Sequence, residues 1–313
     1  MSGAAETQIL KGVSRSFYLS LRLLPAPMRE AASLGYLLAR TSDTLADAAT
    51  ARMSERLEAL HDFAGAVAGA APLPRWPDSL LDQIGDARER RLLENAIPLI
   101  IRLRALPAGE AALVREVVAT IISGQQLDLE RFADATAERP IALPDEAALE
   151  DYTWRVAGCV GEFWTRLGSL TLGGGFSHTA PDILLDQGRA YGQGLQMVNI
   201  LRDLPADLAV GRCYLPVADP SDHAALLASH ARWTERAAGW IEQGRCYANS
   251  LPSWQMRAAT QLPALLAGET LGLLRSATWE TLASRVKVPR RRVYALLLRA
   301  VFFTSRGLTS GRV

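Results

Sequence analysis

"LLARTSDTLADA" (residues 37–48) decides how this chain is read. It opens as an apolar helical run and then sets Asp43 and Asp47 four positions apart. On a helix that spacing stacks two like charges on one face, at a cost of roughly 0.2–0.5 kcal/mol. "NILRDLPADLAVGRCYLP" (residues 199–216) repeats the layout with Asp203 and Asp207. At about 100° per residue, Tyr36, Arg40, Asp43 and Asp47 share one side of the first helix. Gln196, Asn199, Asp203 and Asp207 share one side of the second, while Leu37, Leu38, Leu45, Leu195, Val198 and Leu201 turn the other way. Each helix therefore has an apolar back and one polar stripe ending in a carboxylate pair.

Outward from these stretches the pattern stays helical. "AALVREVVATIISGQQLDLERF" (residues 111–132) carries Leu113, Val117, Ile121 and Leu129 close to one stripe. Breaks rich in Pro, Gly, Ser and Asp fall near residues 71–79, 133–146, 173–182 and 217–223, and none has the length or polarity of an interdomain linker. Alternating β-branched runs are nearly absent. The expectation is one all-α domain over residues 1–313, with 49% hydrophobic residues to build its core.

Charge is balanced, 34 Lys plus Arg against 33 Asp plus Glu, which is not the basic footprint of a nucleic-acid binder. Cys159, Cys213 and Cys246 are odd in number and have no zinc spacing, so a reducing compartment suits them. The N-terminal residues do not read as a signal peptide, and no apolar run reaches the ~18–20 residues of a membrane span. A cytoplasmic protein is expected, soluble or in peripheral contact with the inner membrane surface. His61, His178, His223 and His230 show no ligand spacing and read as surface or loop residues.

A solvated charged face explains most carboxylate stripes. Two stripes of one layout, both including Arg, Gln or Asn, favour another reading, because magnesium takes carboxylates, waters and phosphate oxygens as ligands. Two such helices facing each other could hold several Mg²⁺ ions around a diphosphate, and the bound cations would turn the like-charge cost into attraction.

Together with "SRSFYLSLRLLP", "GQQLDL", "YTWRVAGCVGEFW" and "GRCYLP", these residues resemble the squalene and phytoene synthase family over most of residues 10–216. The resemblance implies an isoprenoid synthase fold, with helices around a central apolar cavity, and a prenyltransferase of the farnesyl-diphosphate farnesyltransferase type. It implies Asp43, Asp47, Asp203 and Asp207 as Mg²⁺ ligands. Arg15, Ser16 and Phe17 would line the diphosphate end with Tyr36 and Arg40. Gln196, Asn199 and Arg202 would support the second diphosphate, with Tyr214 beside it and Tyr152 near the reacting carbons. Phe17, Tyr36 and Tyr152 are candidates to stabilise a cation through their rings. Ala157, Gly158 and Gly161 would let a helix pass close to a prenyl tail or simply pack against another helix, and Gly192 and Gly194 read as close packing points.

Two departures stand out. Ala206 replaces the acidic residue many relatives carry before the second aspartate of the later motif. Pro205 cannot donate a helical hydrogen bond and is expected to kink or break the helix before Asp207. In the first motif Thr44 follows Asp43, a form that resembles squalene synthases. The implied reaction is condensation of two farnesyl diphosphates via presqualene diphosphate to squalene, with NADPH as reductant. The alternative is a phytoene, dehydrosqualene or presqualene diphosphate synthase without reduction. No GxGxxG follows a strand; the resemblance to squalene synthases implies that NADPH would meet basic residues of "SRVKVPRRRVY" (residues 284–294), Arg285 and Lys287 among them. That run also reads as a solvated turn or as a contact for anionic lipid. A non-catalytic binding or assembly relative would be expected to lose part of the acidic constellation, and here all four aspartates are present.

Overall fold

A computed structural model describes residues 3–14, 17–48 and 51–306, and they are helical almost throughout. The described residues up to Ala133, with Arg166–Gly173, form one compact unit; Asp134–Thr165 and the described residues from Gly174 onward form a second.

The first unit holds α1 (Gly3–Val13), α2 (Phe17–Leu23), α3 (Ala26–Ala46), α4 (Met53–Ala68), α5 (Asp78–Asp82), α6 (Ala87–Glu94), α7 (Ala96–Ala105) and α8 (Ala108–Arg131). Pro25 caps α3 and Pro27 lies in its first turn, where the missing N–H has no intrahelical partner to lose. The back of α3, with Leu34, Leu37, Leu38 and Leu45 fully buried, belongs to the core, and α3 packs on α8. Burying each leucine contributes about 1.5–3 kcal/mol. Thr41, Ser42 and Thr44 are buried with them, and their hydroxyls donate to the carbonyls of Leu37, Ala39 and Arg40, so none is left unpaired in the core. The buried residues of α8 include Gln125 and Asp128 among the apolar Val114, Val118 and Ile122.

The second unit holds β1 (Ile141–Ala142), α9 (Glu146–Thr153), a π turn (Trp154–Gly158), α10 (Cys159–Leu172, passing to the first unit at Arg166), α11 (Pro181–Leu208), β2 (Arg212–Cys213), α12 (His223–Asn249), α13 (Trp254–Leu274), α14 (Trp279–Ala283) and α15 (Arg290–Arg306). Asp145 caps α9 by accepting from the Ala148 N–H, and Asp222 caps α12 through Ala224 and Ala225. α11 packs lengthwise on α12. Across α10 and the π turn it runs almost backbone to backbone. A Cβ on Gly161 would lie 1.8 Å from the Gly188 oxygen, and one on Gly192 would lie 2.1 Å from the Ala157 oxygen. Helix packing thus accounts for Ala157, Gly161 and Gly192.

β1 and β2 pair in parallel, Ile141 beside Arg212 and Ala142 beside Cys213. Gly211 leads into β2 at φ +85°, with the Thr136 backbone 2.5 Å from where a Cβ would be, so both conformation and space call for glycine. Short as it is, this ladder joins the approach to α9 to the exit from α11. Among the described residues no helix is long and apolar enough to cross a membrane.

Candidate functional site

The polar edge of α3 is the one the sequence predicts: Tyr36, Arg40 and Asp43 are half-buried, while Gly35, Leu37, Leu38, Thr41, Ser42, Thr44 and Leu45 are buried. The helix ends at Ala46, so Asp47 is its C-cap instead of a residue within it. Its N–H still donates to the Asp43 carbonyl at 2.8 Å, which closes one more helical turn. Arg40 is bound to Glu89 of α6, and its Nη1 lies 3.6 Å from Asp43 Oδ2. The Gln125 amide donates to Asp43 Oδ1 at 2.5 Å, while Gln125 Oε1 is buried without a donor. Asp43 keeps 43% of its side chain accessible, a rim position crowded from one side. Desolvation pushes its pKa from 3.8 up to about 6; Arg40 and Gln125 oppose the rise, and the charge of Asp47 adds to it. Desolvation likewise pushes Tyr36 up to about 12, and its hydroxyl donates to the Val13 carbonyl at 3.2 Å.

On α11, Gln196, Arg202, Asp203 and Asp207 are half-buried and Asn199 is exposed, opposite the buried Met197, Val198, Ile200, Leu201 and Leu204. Asn199 Nδ2 lies 3.5 Å from Gln196 Oε1. Arg202 grips its neighbour Asp203 with two hydrogen bonds, Nε to Oδ1 at 3.0 Å and Nη2 to Oδ2. The hydrogen bond to Asp203 and the charges of Asp203 and Asp207 outweigh burial and raise the Arg202 pKa.

Two expectations need correcting here. α11 is not broken at Pro205 but continues to Leu208. A proline inside a helix removes the bond to the carbonyl four residues back and costs roughly 3 kcal/mol or more. That carbonyl belongs to Leu201, and it meets His230 Nε2 of α12 at 3.2 Å. His230 is accordingly no surface residue; it is 3% exposed. The other three histidines are exposed, with His223 stacked on Trp279.

Tyr152, near the end of α9, stacks on Tyr214, just beyond β2, with ring centroids 4.9 Å apart and planes 20° from parallel. Both rings are buried, and the π turn follows immediately after Thr153. Arg285 reaches the second motif, its Nε 3.9 Å from Asp203 Oδ1. Its backbone is left-handed at φ 66° in the turn that follows α14. Lys287 is exposed, and among the described residues no ion pair joins it to either motif. Arg15 and Ser16 lie outside the described residues, as does the side chain of Phe17.

Sequence reasoning missed Glu89, Gln125 and His230 as partners of these stripes. Gln125 left a signal: a polar residue at a core position of an otherwise apolar helical stripe.

The donors suit a hard divalent cation. Each helix presents two carboxylates with an arginine beside the first of them, and next to Asp43 the Gln125 carbonyl is a buried acceptor with no donor. Among the described residues no three His, Cys, Asp or Glu side chains gather into a cage. Magnesium does not require one, since water and phosphate oxygens ordinarily complete its shell.

A profile of the squalene/phytoene synthase family matches residues 10–292. A presqualene diphosphate synthase of Zymomonas mobilis subsp. mobilis is 30% identical over 231 residues, 69% of this chain and 60% of that protein. One from Rhodopseudomonas palustris is 32% identical over 201 residues, 64% of this chain and 58% of that protein. The matched stretch thus spans about 60% of the length of these curated relatives. Among solved structures, the complex of TcSQS with the ligand E5700 superposes with a TM-score of 0.76 at 21% identity, over 96% of this chain and 88% of the other. At that identity the likeness establishes the fold: the all-α class expected from the helical pattern, in the isoprenoid synthase architecture that the family resemblance implied. With the family profile matched from residue 10 to residue 292, the chain belongs to the squalene/phytoene synthase family.

Proposed function

We propose that the chain is a prenyltransferase that joins two molecules of farnesyl diphosphate head to head and releases presqualene diphosphate and inorganic diphosphate. The observation that carries the reading is the doubled layout: on α3 and again on α11, an arginine and two carboxylates line the polar edge of a helix whose other faces are core. Asp43 with Asp47, and Asp203 with Asp207, would hold magnesium, which as a Lewis acid supplies positive charge for a departing diphosphate.

The remaining work falls to the chain's own groups. Arg40 and Arg202 carry fixed positive charge beside the aspartates and can bind diphosphate oxygens directly. Gln196 and Asn199 offer amide donors two turns and one turn before Asp203, where they can orient the same group. Tyr152 and Tyr214 form a rigid aromatic pair whose faces can stabilise an allylic cation. Such a cation must be kept from water, which would quench it. Carbon–carbon bond formation expels one diphosphate and one proton, while the second diphosphate stays on the cyclopropyl product.

The product assignment rests on the two relatives named presqualene diphosphate synthase. Arg285 favours a second reading, in which hydride from NADPH carries the product on to squalene. It is exposed, held in a left-handed conformation and close to Asp203, as a group reaching for a cofactor phosphate would be.

Purified chain incubated with C15 or C20 diphosphate and Mg²⁺, with and without NADPH, separates the readings by mass spectrometry. A C30 diphosphate unchanged by NADPH is the expected result. Squalene formed only with NADPH establishes the second reading, a C40 hydrocarbon replaces both with phytoene-type chemistry, and no coupled product from either substrate overturns the proposal.

A further inference from the structure

Pro205 sits between the two aspartates of α11, where it is expected to kink or break the helix, yet the helix runs on unbroken. The turns beyond it are closed: the Ala209 N–H donates to the Pro205 carbonyl at 3.1 Å, and Gly211 to Leu208 at 2.9 Å. What the proline leaves open is the Leu201 carbonyl, whose helical donor would have been the N–H of residue 205. An unpaired carbonyl in the core is costly, and the usual remedies are a side chain or an ordered water.

His230 supplies the remedy. It lies two turns into α12, the helix packed along α11, and it is buried with Nε2 3.2 Å from the Leu201 oxygen. Since a carbonyl can only accept, the contact requires the proton on Nε2. Burial lowers the imidazole pKa, which favours the neutral ring, and the N–H on Nε2 is committed to Leu201.

We infer that His230 is a positioning residue for the second aspartate pair: its Nε2–H replaces the donor lost at Pro205, keeps α11 helical, and so holds Asp207 one turn beyond Asp203 on the same edge. The inference rests on the reading that this pair binds magnesium. It differs from a space-filling role for the ring in one consequence: residues 205 and 230 must be coupled. If residue 205 regains an N–H, the imidazole becomes dispensable.

The test is a double-mutant cycle on the full chain: wild type, P205A, H230L and P205A/H230L. Hydrogen exchange of residues 199–210 is followed by mass spectrometry without metal. Mn²⁺ binding in the presence of inorganic pyrophosphate is measured by electron paramagnetic resonance. H230L is expected to speed exchange at residues 203–208 about tenfold and to weaken Mn²⁺ binding by a similar factor. P205A/H230L should return to within about twofold of P205A in both. If H230L does not fold, recovery of folded protein in P205A/H230L supports the inference and failure to recover overturns it. Additive effects of the two substitutions, or unchanged exchange in H230L, also overturn it. If the wild type itself binds no Mn²⁺ with pyrophosphate, the magnesium reading falls and the positioning role falls with it, whatever the exchange shows.

Discussion

The two aspartate pairs have the same spacing and are built in opposite ways. On α3 the helix stops at the pair: Ala46 is its last residue, Asp47 is the cap, and side chains from α6 and α8 hold the first carboxylate and its arginine. On α11 the helix runs through the pair and past a proline, and the support comes from behind, through a carbonyl on the buried face. At the first pair, side chains from two other helices reach the carboxylate and its arginine; at the second, Asp203 is gripped by its own neighbour Arg202, with Arg285 nearby, and the neighbouring helix supports the backbone. One layout in sequence thus conceals two physical solutions, and substitutions should tell them apart.

The largest effect should come from the carboxylates, where the two regions ought to behave alike. Asp43→Asn or Asp203→Asn should lower kcat/KM about a thousandfold or more, because Lewis-acid charge on the leaving group is lost. Circular dichroism and Tm should change little. Full activity in either variant would remove the metal role from that helix alone.

Next comes the close backbone contact of α11 with α10. Gly161→Ala would press a methyl group to within 1.8 Å of the Gly188 oxygen, and the helices must part to admit it. A loss of at least about 2 kcal/mol in urea unfolding is expected. An unchanged midpoint would mean that the close crossing is not what positions α11.

Gln125→Leu sharpens the comparison from the α3 side. It removes the amide that aims Asp43, and the Mg²⁺ concentration for half-maximal activity should rise about tenfold with Tm nearly constant. An unaltered Mg²⁺ requirement would relegate Gln125 to packing.

The smallest effect concerns pH. His230 has its folded pKa held below the ordinary 6.5 by burial, so the unfolded chain binds the proton more readily. Its contribution to stability is fully present above about pH 6.5 and is lost as pH falls toward the folded value. At pH 6 the loss is bounded at about 1 kcal/mol. Denaturant melts of wild type and H230L at pH 6 and pH 8 should show a smaller difference between the two pH values in the variant.

Much of this was legible beforehand. The polar edges carrying Tyr36, Arg40 and Asp43, and Gln196, Asn199 and Asp203, follow from the helical period alone, and so do the loop breaks. The close packing at Gly192 was also readable, because a glycine within a helical pattern needs a reason. Glu89 and Gln125 could not be paired with Arg40 and Asp43, because such pairs span tens of residues and depend on how helices turn about their axes. Pro205 misled for a definite reason: the local rule counts the hydrogen bond that is lost and has no view of a donor 25 residues further along the chain.

The sequence by itself determined which residues lie on a polar edge and which on an apolar back, because 3.6 residues per turn converts spacing into direction without outside help. It also determined, through prolines, glycines and capping aspartates, roughly where helices begin and end. Only the tertiary structure decided that Asp47 caps α3, that α11 survives its proline, and that Tyr152 meets Tyr214. Each of these turns on a partner from another element, and the free energy of such a contact exists only once the elements have packed.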